Sequence, residues 1–112
     1  MPSIESEGTQ TATINTEHTL RDISGNKFYW ALLDLVNMIA GDTVEIRVYT
    51  KAKSTGTSRM VYGPPDTTFS GVQDVPIQII AAVPCPATQY KLTLKQTEGT
   101  GRNYDWSVLQ QG

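Results

Sequence analysis

Gly99-Thr100-Gly101-Arg102 follows an alternating segment, which is where a phosphate-binding loop would sit. Such a loop works because backbone amides at the start of a helix converge on an anion, and a lysine and a Ser or Thr complete the site. Here the next residues, Arg102-Asn103-Tyr104-Asp105-Trp106, alternate like a strand and contain no Gly-Lys-Thr signature. A dinucleotide fingerprint fails as well, for want of a third glycine and an opening helix. Two alternating segments joined by residues 98–102 spell a hairpin with a glycine-bearing loop.

Other chemistry is sparse. His18 is the sole histidine, so a histidine metal site or a Ser-His-Asp triad would rest on it alone, in a threonine-rich stretch beside Glu17. Cys85 is the sole cysteine, which rules out an intrachain disulfide and, with one histidine, a structural zinc site. Flanked as Pro84-Cys85-Pro86, it has no basic neighbour to lower its pKa and reads as a small, partly buried filler. Paired carboxylates would suit glycoside hydrolysis. The nearest pairs are Glu5 with Glu7, Asp42 with Glu45, and Asp66 with Asp74. Asp42 belongs to a Gly-Asp turn, and Asp66 and Asp74 lack the Asp-x-Asp-x-Asp-Gly spacing of a calcium loop. The expectation is therefore no catalytic residue, no metal site, no cofactor and no enzyme.

The elements that would position these residues form one domain by length, since 112 residues bury roughly two-thirds of the unfolded chain's surface. The longest apolar run, residues 28–40, is broken by Asp34 and Asn37 and is too short to span a bilayer. The start, MPSIESE, lacks the basic and apolar stretches of a secretion signal, so the chain is expected to stay in the cell that makes it, or to leave by lysis or within an assembly. Residues 1–8 are polar and without period; they read as an N-terminal arm, loose or laid on a neighbour, ahead of a single domain over 9–112.

Strand signals follow at sandwich-like spacing. Residues 9–14 and 16–24 are the first two, ahead of the Ser24-Gly25-Asn26-Lys27 turn. In the next segment Phe28, Leu32, Leu35 and Ile39 fit a helical stripe, while Phe28, Trp30 and Leu32 against Tyr29, Ala31 and Leu33 fit a strand. Periodicity permits both. The Gly-Asn and Gly-Asp flanks and the aromatics favour a strand over 27–33, then one helical turn over 34–39 ended by Gly41. TVEIRVYTK has the cleanest alternation, with Val44, Ile46 and Val48 opposite Glu45, Arg47 and Tyr49. RMVYG is a short strand stopped by Pro64-Pro65, and residues 66–74 read as a long surface loop anchored by Phe69. PIQIIAAV, TQYKLTLKQT and NYDWSVL complete the set, with Trp30 and Trp106 expected in the core. The predicted fold is an all-β antiparallel sandwich, jelly-roll or Ig-like, of about seven or eight strands.

Charge is uneven. Residues 1–45 hold seven acids and two bases, net −5; residues 46–112 hold seven bases and four acids, net +3. Arg47, Lys51, Lys53 and Arg59 lie in a window free of acids, and Lys91 and Lys95 share an outward strand face. If the strands adjoin, these cations make a basic stripe able to hold phosphates or acidic protein surfaces, although a solvated face is the commoner explanation of such a stripe. With Tyr49 and Tyr62 as anchors, and Ile4 in the arm, they form the candidate partner interface.

The cluster NM-IAGDTVEIRVYTK, then TSR, then LKQTEGTGRNYDW resembles short tailed-phage proteins encoded among virion genes. The matching residues are Asn37, Met38, Gly41, Asp42, Thr43, Glu45, Arg47, Lys51, Ser58, Arg59, residues 94–97 and 99–102, Asp105 and Trp106, within residues 28–112. The resemblance implies a virion structural part and supplies no catalytic residue. Its expectations are a capsid cement or decoration protein that binds between major capsid subunits, or a tail or fibre accessory; apart from the resemblance, a carbohydrate- or receptor-binding β-sandwich is the alternative. Expected partners are the major capsid protein or other virion proteins, with neither direct nucleic-acid binding nor a membrane. Copies at local symmetry axes of a shell would be homo-oligomers, here expected as trimers.

Overall fold

A computed structural model describes residues 2–83 and 87–111. Within them the chain forms nine strands and no helix: β1 (Ser3–Thr11), β2 (Glu17–Gly25), β3 (Phe28–Asp34), β4 (Thr43–Thr50), β5 (Arg59–Tyr62), β6 (Thr68–Ser70), β7 (Ile77–Val83), β8 (Ala87–Glu98) and β9 (Asn103–Gln111). One sheet runs β1-β9-β3-β7 and the other β2-β8-β4-β5, with β6 pairing beside β5 on β4.

Every pairing is antiparallel, and the pairings nest. β4 pairs β5, β3 pairs β7, β2 pairs β8 and β1 pairs β9, as in one long hairpin whose tip is β4–β5. The ribbon rolls up when β3 meets β9 and β4 meets β8. This double-sheet order is the jelly roll, which decides between the two expected sandwiches.

Alternation places the core. Tyr29, Ala31 and Leu33 of β3, Val44, Ile46 and Val48 of β4, and Tyr90, Leu92 and Leu94 of β8 are buried between the sheets with Tyr104 and Val108 of β9. Tyr29 and Tyr90 meet across the layer with ring centroids 6.0 Å apart. Burial pushes the phenols of Tyr90 and Tyr104 above their ordinary range.

Five expectations change. Residues 3–8 are not an arm; they are the first part of β1, in register with β9 from Ser3 opposite Gln110 to Thr11 opposite Asn103. Polar composition hid this because an edge strand exposes much of both faces. Residues 34–39 do not make a helical turn. Two successive turns close instead, Met38 N to Leu35 O and Asp42 N to Ile39 O, both 3.1 Å. Asp34 Oδ1 accepts the Val36 amide and Asp42 Oδ2 the Ile39 amide, so side chains satisfy donors that a helix would pair internally.

The third change is within the expected loop 66–74, where β6 pairs Thr68–Ser70 with residues 43–45 of β4, while Phe69 does pack against the core. The fourth concerns the tryptophans: both are half-buried, and Trp106 packs against the core as expected while Trp30 faces outward. Trp106 sits opposite Gly8 on the edge strand, where the absent side chain leaves room for its ring; Trp30 lies on the outer face of its sheet, between the buried Tyr29 and Ala31. The fifth is the strand total, nine rather than seven or eight, with β6 beyond the expected set. The reading of Cys85 between two prolines lies outside the described residues.

Candidate assembly surfaces

The residues expected to act together divide among three places. Arg47 and Tyr49 of β4 and Lys91 and Lys95 of β8 do share the outer face of the five-stranded sheet, since β4 and β8 adjoin. They do not form a basic stripe. Strand register sets Lys95 between Glu17 and Glu45, and Lys91 between Asp22 and Tyr49. Arg47 Nη2 contacts Glu45 Oε1 at 3.0 Å, and Lys91 Nζ lies 5.3 Å from the Tyr49 ring centroid. Glu17 accepts from Tyr49 Oη and Thr93 Oγ1, each at 2.7 Å. The acid-free sequence window misled because Glu45, just before it, reaches Arg47, and Glu17 and Asp22 arrive from β2, a strand distant in sequence.

Lys53 and Arg59 are exposed and line an open groove of about 690 Å³ between the 51–58 loop and β5. Lys51 is half-buried at the end of β4, its carbonyl accepting from Thr88 Oγ1. Tyr62 is half-buried and packs partly against the core.

Ile4 lies on the opposite surface, the outer face of the four-stranded sheet. It stands in one cross-strand row with Leu109 and Trp30. The next row places Leu32 beside Ile79, and Ile77 and Phe28 extend the patch. Exposure is 54 % at Ile4, 40 % at Phe28, 48 % at Ile77 and 75 % at Ile79. Phe28 and Trp30 meet edge to face with centroids 6.1 Å apart. An antiparallel sheet with one wet face normally alternates apolar-in, polar-out; β3 is apolar on both sides. Sequence reasoning missed this surface, although FYWALL already carried its signal. The far end turns acidic, with Glu7, Asp34 and Asp105 around a shallow groove of about 230 Å³.

The hairpin of residues 98–102 is part of a buried polar network. Asp42, 1 % exposed, accepts from Arg102 Nε at 2.9 Å and the Ile39 amide at 3.0 Å. Gln96 Oε1 accepts from Tyr104 Oη at 2.8 Å and the Arg102 amide at 3.2 Å, while its Nε2 donates to the carbonyls of Glu98 and Thr100. The converging groups face one another, leaving the loop no open amide cradle. At the other edge Glu5 of β1 and Arg21 of β2 pair at 2.6 and 2.8 Å and tie the two sheets together.

Burial alone would raise the Asp42 carboxyl, but the Arg102 hydrogen bond, the Ile39 amide and the Arg102 charge outweigh it and hold the group low. The Arg21 hydrogen bond lowers Glu5 against a smaller desolvation cost. Both therefore bind fewer protons folded than unfolded. Their contribution is complete above the unfolded values near 4 and is lost as pH falls through the lower folded values. Melting followed by circular dichroism should show stability dropping below about pH 4, with a shallower drop in Asp42→Asn.

Among the described residues no group of three or more His, Cys, Asp or Glu is placed to hold a metal ion, and no helix is long and apolar enough to cross a membrane. No family model matches the chain, and no curated protein matches it. The tailed-phage resemblance thus has no counterpart in these comparisons. A solved structure titled "Structure of infectious bursal disease virus Gt strain" is similar at a TM-score of 0.46 and 14% identity. The match covers 98% of this chain and 32% of that one, so this chain spans about a third of its length.

Proposed function

We propose that this protein is a non-enzymatic virion structural protein, a capsid cement or decoration protein that binds between major capsid subunits and stabilises the shell. The observation that carries the reading is the apolar outer face of the four-stranded sheet, built by Ile4, Phe28, Trp30, Leu32, Ile79 and Leu109. Contiguous exposed apolar surface of this kind marks a surface that another protein covers. The opposite face, with its charges paired across strands, suits water. Capsid domains are among the users of the jelly roll, as are lectins, so the architecture is compatible without being diagnostic.

A carbohydrate- or receptor-binding role draws on the Phe28–Trp30 pair, because sugars stack on exposed aromatics. Sugar sites also need polar groups beside the ring to meet hydroxyls. Here the cross-strand neighbours of Trp30 are Leu109 and, beyond it, Ile4, which favours a protein partner.

Mass spectrometry of purified particles tests the proposal. The protein should be present in fixed ratio to the major capsid protein, and particles lacking it should disassemble at lower temperature. Its absence from particles would overturn the reading.

A further inference from the structure

β7 is bonded to β3 on one side and to no other strand among the described residues. The Leu35 amide donates to the Pro76 carbonyl at 2.9 Å, and the register continues with Leu33 opposite Gln78 and Leu32 opposite Ile79. In an antiparallel ladder, hydrogen-bonded pairs alternate with pairs whose amides point outward. Pro76, Gln78 and Ile80 therefore turn their backbone groups to β3, while Ile77 and Ile79 turn theirs to the free edge. A proline often blunts an edge by removing an outward donor. Pro76 falls on the inward phase, so the edge keeps every donor and acceptor at Ile77 and Ile79.

Other edges are guarded. β1 carries Glu5 and Glu7, β2 carries Glu17, Arg21 and Asp22, β5 carries Arg59, and β6 is only three residues long. Residues 75–83 contain no charge at all.

We infer that β7 is a self-pairing edge, joining two copies of this chain antiparallel about a two-fold axis at Gln78. The axis sets Ile77 of one copy opposite Ile79 of the other, and the reverse, each pair exchanging two backbone hydrogen bonds. A second copy fits because like charges opposite one another destabilise a pair, and this strand brings none to its own image. The join turns two four-stranded sheets into one of eight, with the two apolar faces continuous on one side. The inference holds whether or not that face covers a shell, and its test needs no particles.

Light scattering and sedimentation at about 200 µM, above the micromolar range expected of so small an interface, read the state directly. The wild type should be a dimer, and the Ile77 and Ile79 amides should exchange more slowly as concentration rises. Ile79→Lys places a charge beside the axis, opposite Ile77 of the other copy, and Ile79→Pro removes an outward donor. Each should weaken association at least tenfold, to a monomer with unchanged circular dichroism. A monomeric or trimeric wild type, or a dimer that persists in both variants, would overturn the inference.

Discussion

Asp42→Ala should cost about 3 kcal/mol, a drop of roughly 10 °C in melting temperature for a domain of this size. The carboxylate is buried and holds the Ile39 amide and Arg102 Nε at once. Removing it leaves one amide and one guanidinium without their acceptor. The Arg102 side chain keeps 26% exposure, so water recovers part of the loss and the figure stays at the low end for a broken buried pair. Thermal melts of the two proteins settle it. A difference within about 0.5 kcal/mol, the ordinary range of surface substitutions, would mean that the network does not hold this end of the sandwich.

Gly101→Ala should cost a similar amount, about 3 kcal/mol, for a steric reason. A Cβ there would lie 2.1 Å from the Ala12 carbonyl oxygen, a backbone atom that cannot rotate away. The Ala12 amide is itself bound to Arg102 O at 2.9 Å, and Asn15 to Gln96 O at 2.8 Å, so the two loops cannot part without losing both. Gly99 is constrained independently, with φ of 89° and the Asp42 carboxylate beside it. Urea unfolding of Gly101→Ala should show a lower midpoint at unchanged slope. A variant as stable as wild type would remove the steric explanation for Gly101.

Strands whose two faces differ are legible in the amino-acid sequence alone. TVEIRVYT and TQYKLTLKQ alternate apolar with polar or charged residues, and β4 and β8 bury the expected sets. β3 resists a single reading because both its faces are apolar, and that same property makes the outer surface. β6 is illegible because three residues cannot establish a period; it exists because Phe69 reaches the core and β4 has an open edge there. The Asp42–Arg102 pair spans 60 residues of sequence, and only the roll of the ribbon brings the β8–β9 hairpin against the start of β4. Charge windows fail for the same reason, since Glu17 and Asp22 meet the lysines of β8 through register.

Occupancy of surface variants in assembled virions tests the role of the apolar face most directly. Trp30→Glu sets a charge in the middle of the patch without entering the core, whereas Lys91→Glu alters the opposite face. Folded Trp30→Glu should be depleted from particles at least tenfold while Lys91→Glu is retained. Normal occupancy of Trp30→Glu would contradict it.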